Sequence, residues 1–221
     1  MNITHVGSVR GLPTSSETPT VFVVDGDPSV RESLELLIRS AGLRVRTAAS
    51  AEEFLSAPLA TGPCCLVVEL RLPGMSGLEL QKQVSDRTEL PVIFVSAHVD
   101  ISATVQAMKA GALEFLTKPS VGDVLLHAIR HAIERSQAEL RELAHMRALR
   151  ERYESLSHRE REVMNLVVCG RLNKQVGGEF GISEITVKAH RGRVMHKMQA
   201  ESLVDLASMA TKLRLARTLR D

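Results

Sequence analysis

No run of this 221-residue chain approaches the roughly 20 consecutive apolar residues that a membrane-spanning helix needs. Residues 1–19 likewise lack a continuous apolar stretch flanked by basic residues. Gly, Pro, Ser and Thr dominate there, which argues against a secretory signal and predicts a disordered lead-in. Both absences point to the cytoplasm. Cysteine is scarce: Cys64, Cys65 and Cys169 are the only three, and none has the CxxC spacing of a metal site, so all are read as buried thiols of a reducing compartment. An excess of one charge is missing as well, the formal net charge being +2. That balance conceals a division. Residues 1–149 carry 14 Lys and Arg against 17 Asp and Glu, whereas residues 150–221 carry 14 against 9. The second part is therefore the candidate for nucleic acid, provided that a motif supports it, since a solvated surface is charged too. With 44% apolar residues and a mean hydropathy of zero, a chain of this length makes two ordinary globular domains.

What is present begins with an alternation of short apolar runs and amphipathic stretches. Residues 20–24 are β-branched and apolar and lead into Asp25; Pro28 then suits a first helical turn, and Val30, Leu34, Leu37 and Ile38 recur at helical spacing until Gly42. Residues 43–48 read as a second strand, and Ser50 with Glu53 makes a capping box for a short helix ending before Pro58. The run from Leu66 ends in the acid Glu69 and empties into a Pro73-Gly74 loop. A helix over 77–84, a strand over 91–96, a helix over 101–109 and a strand over 113–117 follow, before Lys118-Pro119. Five such strand–helix units predict an α/β, doubly wound, five-stranded parallel sheet of flavodoxin-like type. In open sheets of this kind ligands collect beyond the carboxyl ends of the strands, so Glu69 is placed for function and not for packing.

Over residues 20 to about 133 this pattern resembles the receiver domain of bacterial response regulators, whose phosphoacceptor strand reads hydrophobics, Asp, a variable pair and then Pro-Gly-Met-Ser-Gly. The resemblance implies that Asp25 and the residue after it form an acidic, magnesium-binding pair. It makes Ser96 the hydroxyl that reports a phosphoryl group, Phe115 an aromatic switch and Lys118 the cation at the phosphate, with Lys118-Pro119 cis. A phosphoryl group brings about two negative charges, which is why a divalent cation, a lysine and a hydroxyl converge on it. Two positions depart from the pattern. Gly26 stands where the direct metal-ligating Asp belongs, so Asp25 and Asp27 make a weak Mg²⁺ site or none, and no other cofactor is expected. Glu69 stands at the phosphoacceptor position, one methylene longer than Asp; a displacement of about 1 Å costs on the order of 100-fold in catalysis. The reading favoured is a receiver that takes up no phosphoryl group, in which Glu69 gives Lys118 and Ser96 a fixed anion that partly imitates the phosphorylated state. A conventional phosphorylation switch is the alternative.

From Gly122 apolar positions continue at steps of three and four, with no Gly or Pro until beyond Tyr153. This predicts one long helix. Its first part covers the sheet; residues 136–153, dense in Arg and Glu, form a helical linker that projects, self-pairs as a coiled coil, folds back as a hairpin, or is simply solvated. Ser157 with Glu160 then caps a new helix that buries Leu166, Val167 and Val168 and ends at Gly170. Asn173 is expected to cap a second helix, Gly181-Ile182-Ser183 makes a tight turn, residues 184–198 form a third helix, and Leu203, Leu206, Met209, Ala210 and Leu213 mark a fourth. The arrangement is helix-turn-helix. Ser-His-Arg-Glu-Arg-Glu-Val, Gly-Arg-Leu-Asn-Lys-Gln-Val and Ile-Ser-Glu-Ile-Thr-Val-Lys-Ala-His-Arg carry a resemblance to the LuxR-type DNA-binding domain of the FixJ/NarL family across residues 154 to 213.

With Val187, Val194 and Met198 on the core face, Lys188 and Arg191 are the candidates for the major groove, and Lys174, Arg193 and Lys197 for phosphates. Ser183, Thr186 and His190 complete the expected DNA surface. Gly192 lets the backbone approach DNA, while the sequence offers no reason for Gly177, a helical glycine that costs up to about 1 kcal/mol against Ala. The expectation is a non-enzymatic transcription regulator of a two-component pathway, built of a tail (1–19), a receiver (20–135), a linker (136–153) and a DNA-binding domain (154–221). It would bind an inverted-repeat operator in double-stranded DNA as a homodimer, away from any membrane, with a sensor histidine kinase or another regulator as a further partner. A pure interaction protein that modulates such a partner is the remaining alternative.

Overall fold

The computed structural model describes residues 18–58, 60–97, 100–119 and 122–213, so all but the last two residues of the expected tail lie outside the described residues. The chain divides into two compact units, residues 1–140 and 141–221.

In the first unit β1 (Thr20–Val24), β2 (Arg44–Ala48), β3 (Cys64–Val68), β4 (Val92–Ser96) and β5 (Glu114–Thr117) alternate with α1 (Pro28–Ser40), α2 (Ala51–Ser56), α3 (Gly77–Gln83), α4 (Ile101–Lys109) and the first part, to residue 140, of α5 (Gly122–Glu154). The sheet is parallel throughout, in the order β2-β1-β3-β4-β5. β1, β3 and β4 are buried on both faces, which is why they read as continuous apolar runs without alternation. The pleat sends Phe22, Leu66, Val68 and Phe94 into one core with Phe54 and Leu80 of α2 and α3, and Val21, Val67, Ile93 and Val95 into another with Ile38 and Ile129 of α1 and α5. Val24 pairs with Val68, so Asp25 and Glu69 emerge side by side at the point where the strand order reverses.

Helix ends follow local chemistry, with three departures from expectation. Glu53 bonds the backbone N–H of Ala49 (2.6 Å) and not that of its cap Ser50. Leu172, not Asn173, is the N-cap of its helix; its N–H is closed by Gln175 Oε1 (2.9 Å), which leaves the Asn173 side chain free for another partner. Cys64 and Cys65 are buried, and burial pushes the Cys64 thiol up to about 11, but Cys169 is exposed because it caps a helix just where the chain turns away at Gly170.

α5 corrects the expected linker. Ser136 is fully buried: its hydroxyl donates to the Glu89 carbonyl (2.5 Å) and accepts from the Cys64 N–H (3.0 Å), which pins the helix beneath the start of β3. Farther along, Met146, Leu149 and Tyr153 enter the core of the second unit beside Leu156, Met164, Val194 and Leu206. Leu149 is only 1% exposed. The end of α5 therefore belongs to the second unit, to whose core it gives Met146, Leu149 and Tyr153.

The second unit continues with α6 (His158–Val168), α7 (Asn173–Phe180), α8 (Glu184–Met198) and α9 (Leu203–Lys212). Gly177 now has its reason. A Cβ there would lie 2.7 Å from the Ile182 carbonyl oxygen, where the turn before α8 folds back on α7, whereas at Gly178 a Cβ meets nothing within 4 Å. Gly177→Ala should therefore destabilise the second unit by more than about 1 kcal/mol, while Gly178→Ala should stabilise it by up to about 1 kcal/mol through helix propensity. Calorimetric melting of the full chain separates them; a shift of the same sign for both would show that the close approach is not the constraint.

Candidate functional site

The carboxyl ends of β1, β3, β4 and β5 deliver Asp25, Glu69, Ser96 and Lys118 to one pocket. Asp25, Glu69 and Ser96 are buried. Lys118 reaches between the two acids, its Nζ 2.6 Å from Asp25 Oδ2 and 2.7 Å from Glu69 Oε2. The other Glu69 oxygen accepts the N–H groups of Leu70 (2.7 Å) and Arg71 (3.3 Å), and the Ser96 side chain hydrogen-bonds the same carboxylate. Burial alone would raise the pKa of Glu69, but these bonds, led by Lys118 and Ser96, hold it below the usual carboxylate range. Burial likewise works against the charge on Lys118, and the two carboxylates outweigh it and raise the ammonium above its ordinary value. Phe115, half-buried, stacks on Phe94 with ring centres 5.9 Å apart, and Lys118-Pro119 is cis.

Asp27 does not turn into this pocket. Its carboxylate caps α1, accepting the Ser29 hydroxyl (2.7 Å) and N–H (2.9 Å), and those bonds hold it below its ordinary value. At Gly26 a Cβ would come 3.1 Å from the Pro73 ring, so the adjoining loop leans over the position that lacks its acid. Both inward carboxylates are already held by Lys118, and among the described residues no cluster of three acids, histidines or cysteines is assembled.

In the second unit α8 is capped by Ser183, whose Oγ accepts the Thr186 N–H (3.1 Å) and pairs with the Thr186 hydroxyl (2.8 Å). Lys188, Arg193 and, on α7, Lys174 are exposed, and His190 is half-buried. Arg191 reaches back to Asn173 Oδ1 (3.3 Å) and so lies against α7. Lys197, expected at a phosphate, is ion-paired within the unit. Its Nζ is 2.7 Å from the Glu160 carboxylate and 3.1 Å from the Ser155 carbonyl. Glu160 is itself only 3% exposed and closes the capping box with Ser157; the Lys197 ammonium leads the bonds that hold its pKa down. Glu160 was the missed partner, 37 residues from Lys197. Ile185, in the first turn of α8, is 82% exposed.

Residues 21–130 match the response regulator receiver domain, and residues 154–210 match the luxR family of bacterial regulatory proteins. The chain belongs to the DNA-binding response regulators. Nodulation protein W of Bradyrhizobium diazoefficiens is 44% identical to this response regulator over 93% of the chain and 91% of its own length. Response regulator protein TodT of Pseudomonas putida is 41% identical over 90% and 88%. The solved structure of response regulator StyR superposes with a TM-score of 0.79 at 44% identity, covering 89% of this chain and all of that one. The family is one of two-component transcription factors, and no helix among the described residues of this response regulator is long and apolar enough to cross a membrane.

Two outcomes follow from these geometries. Glu69 has its folded pKa below the unfolded value of 4.5, so it contributes stability that is present above that pH and lost as pH falls through the lower folded value. Calorimetry against pH should show this acid loss in the parent and a flatter acid limb in Glu69→Gln; parallel limbs would remove the ion pair from the receiver's stability. Lys197→Ala should lower the melting temperature of the second unit, because it leaves Glu160 buried without its cation, whereas Lys188→Ala should leave melting unchanged and weaken DNA binding. Equal melting of both variants would make the Glu160 pair ornamental.

Proposed function

We propose that this response regulator occupies its operator without being phosphorylated, and that Glu69 serves as a permanent anion in the place of a phosphorylated aspartate. The observation that carries the reading is the coordination of Glu69: Lys118, Ser96 and the Leu70 N–H, the donors that a phosphoryl group would need, are already spent on its carboxylate. The imitation is partial, since Glu brings one charge where a phosphoryl group brings about two. Gly26, and Asp27 committed to α1, favour the same reading over a conventional switch, because neither residue after Asp25 offers a carboxylate to the cation that phosphoryl transfer needs. Mg²⁺ is therefore no part of the proposal.

The DNA-binding half reads an inverted repeat as a homodimer in the cytoplasm, two copies of α8 meeting two half-sites through two-fold symmetry. Lys188 reads bases, Lys174 and Arg193 hold phosphates, and Ser183, Thr186, His190 and Arg191 set the pose of the helix. A sensor kinase or another regulator meets the receiver by docking and not by phosphoryl transfer.

Incubation with acetyl phosphate and Mg²⁺, read by phosphate-affinity electrophoresis, tests the pocket. The parent and Glu69→Asp should stay unlabelled, the latter because position 26 still lacks its carboxylate. Glu69→Asp combined with Gly26→Asp should label at position 69 once the Pro73 ring yields by a few tenths of an ångström. Glu69→Ala should lower operator affinity, since Lys118 and Ser96 lose their anion. Stoichiometric labelling of the parent, or full operator affinity in Glu69→Ala, defeats the reading.

A further inference from the structure

We propose that Ile185 reads the operator by packing against the 5-methyl group of a thymine in the major groove. The proposal rests on the reading that α8 enters that groove. Ile185 is 82% exposed in the first turn of α8, and the N-terminal residues of a recognition helix are the ones that reach base edges.

Three ordinary reasons for an isoleucine fail here. It adds nothing to the core, because Val187, Val194 and Met198 fill that side of the helix and are each at most 1% exposed. Helix formation does not favour it, since a β-branched side chain at an exposed helical position is poorer than Ala, Glu or Lys. A solitary surface hydrophobe needs no explanation, but Ile185 is not placed at random. It shares one exposed face with Lys188, Ala189 and Gly192, at steps of three, four and seven residues.

The composition of that face is itself informative. Ala189 and Gly192 are small, and a Cβ at Gly192 would meet nothing within 4 Å, so the helix backbone can approach a flat partner closely. Ile185 and Lys188 are then the two long side chains on that face, with Glu184 and Arg193 exposed to either side of it. Arg191 stands off the face, tied to Asn173, and the Ser183 and Thr186 hydroxyls are bonded to each other. Lys188 supplies donors, which suit the O6 and N7 acceptors of guanine. Ile185 has neither donor nor acceptor, and the thymine methyl is the apolar feature of the major groove that it complements. Desolvating one methyl is worth about 0.8 kcal/mol, which is roughly a four-fold change in affinity.

The test uses the full chain and an operator obtained by selection from random double-stranded DNA. Each thymine is exchanged in turn for deoxyuridine, which removes the 5-methyl and nothing else. The parent should lose about four-fold at one position in each half-site. Ile185→Ala should bind the unmodified operator more weakly and be indifferent to the exchange, Ile185→Val should keep part of the response, and Lys188→Ala should keep all of it. Melting of Ile185→Ala should match the parent, because so exposed a side chain leaves no cavity. The proposal is overturned if Ile185→Ala retains the parent's deoxyuridine profile, or if no exchange affects the parent. Selection that enriches no sequence at all would instead overturn the prior reading that α8 reads DNA, and this proposal with it.

Discussion

The ammonium of Lys118 between two buried carboxylates is the interaction on which the receiver's pocket depends. Asp25 and Glu69 emerge from adjacent parallel strands, and the Lys118 Nζ lies within 2.7 Å of a carboxylate oxygen of each, the ammonium helping to hold the Glu69 carboxyl below the usual carboxylate range. Breaking such a buried set by removing one partner typically costs about 3–5 kcal/mol, far more than forming it contributes. The sheet supplies the cation from β5, two strands from Glu69, and the backbone bond from Lys118 to the Ser96 carbonyl (2.8 Å) fixes where its side chain starts. Strand order and charge arrangement are thus one constraint. The extra methylene of Glu69 fits it well, since one carboxylate oxygen reaches Lys118 while the other turns back to the N–H groups of its own loop.

A similar economy holds the second unit. Glu160 closes the cap of α6 and, with the same oxygen, binds Lys197 of α8, so the start of one helix is tied to the end of the DNA-reading helix. The Arg191–Asn173 bond ties α8 to α7 in addition. Two of the basic residues that look like DNA ligands in the sequence are thereby spent on setting the angle of α8.

What was legible in the sequence divides along a physical line. Strands, helices and the helix-turn-helix could be read because apolar spacing and caps are local, and Gly26 and Glu69 stood out because the motif around them is contiguous. The end of α5, Ser136, the ion pair of Lys197 and the reason for Gly177 could not be read, because each depends on a partner supplied by the fold. Ser136 answers to Cys64 and Glu89, and Lys197 to Glu160. Gly177 answers to a carbonyl only five residues away, yet its constraint arises from the way the turn closes. Cys169 was misread for the opposite reason: an apolar context suggested burial, while a helix terminus exposes it.

On the proposed reading, the pocket's fixed anion changes what can regulate the protein. A phosphoryl group shifts a two-state receiver only while it is attached, and moving an equilibrium from 1:99 to 99:1 takes about 5.5 kcal/mol of differential interaction. Glu69 brings one charge to donors that suit two, so its bias is permanent but smaller, and the receiver rests nearer to balance than a phosphorylated one. The remaining bias has to come from binding that discriminates between the two states, either a second copy on the inverted repeat or a docked regulator. Control then passes from the chemistry of the pocket to the concentration of partners, and occupancy of the operator becomes a function of how much of this chain the cell makes.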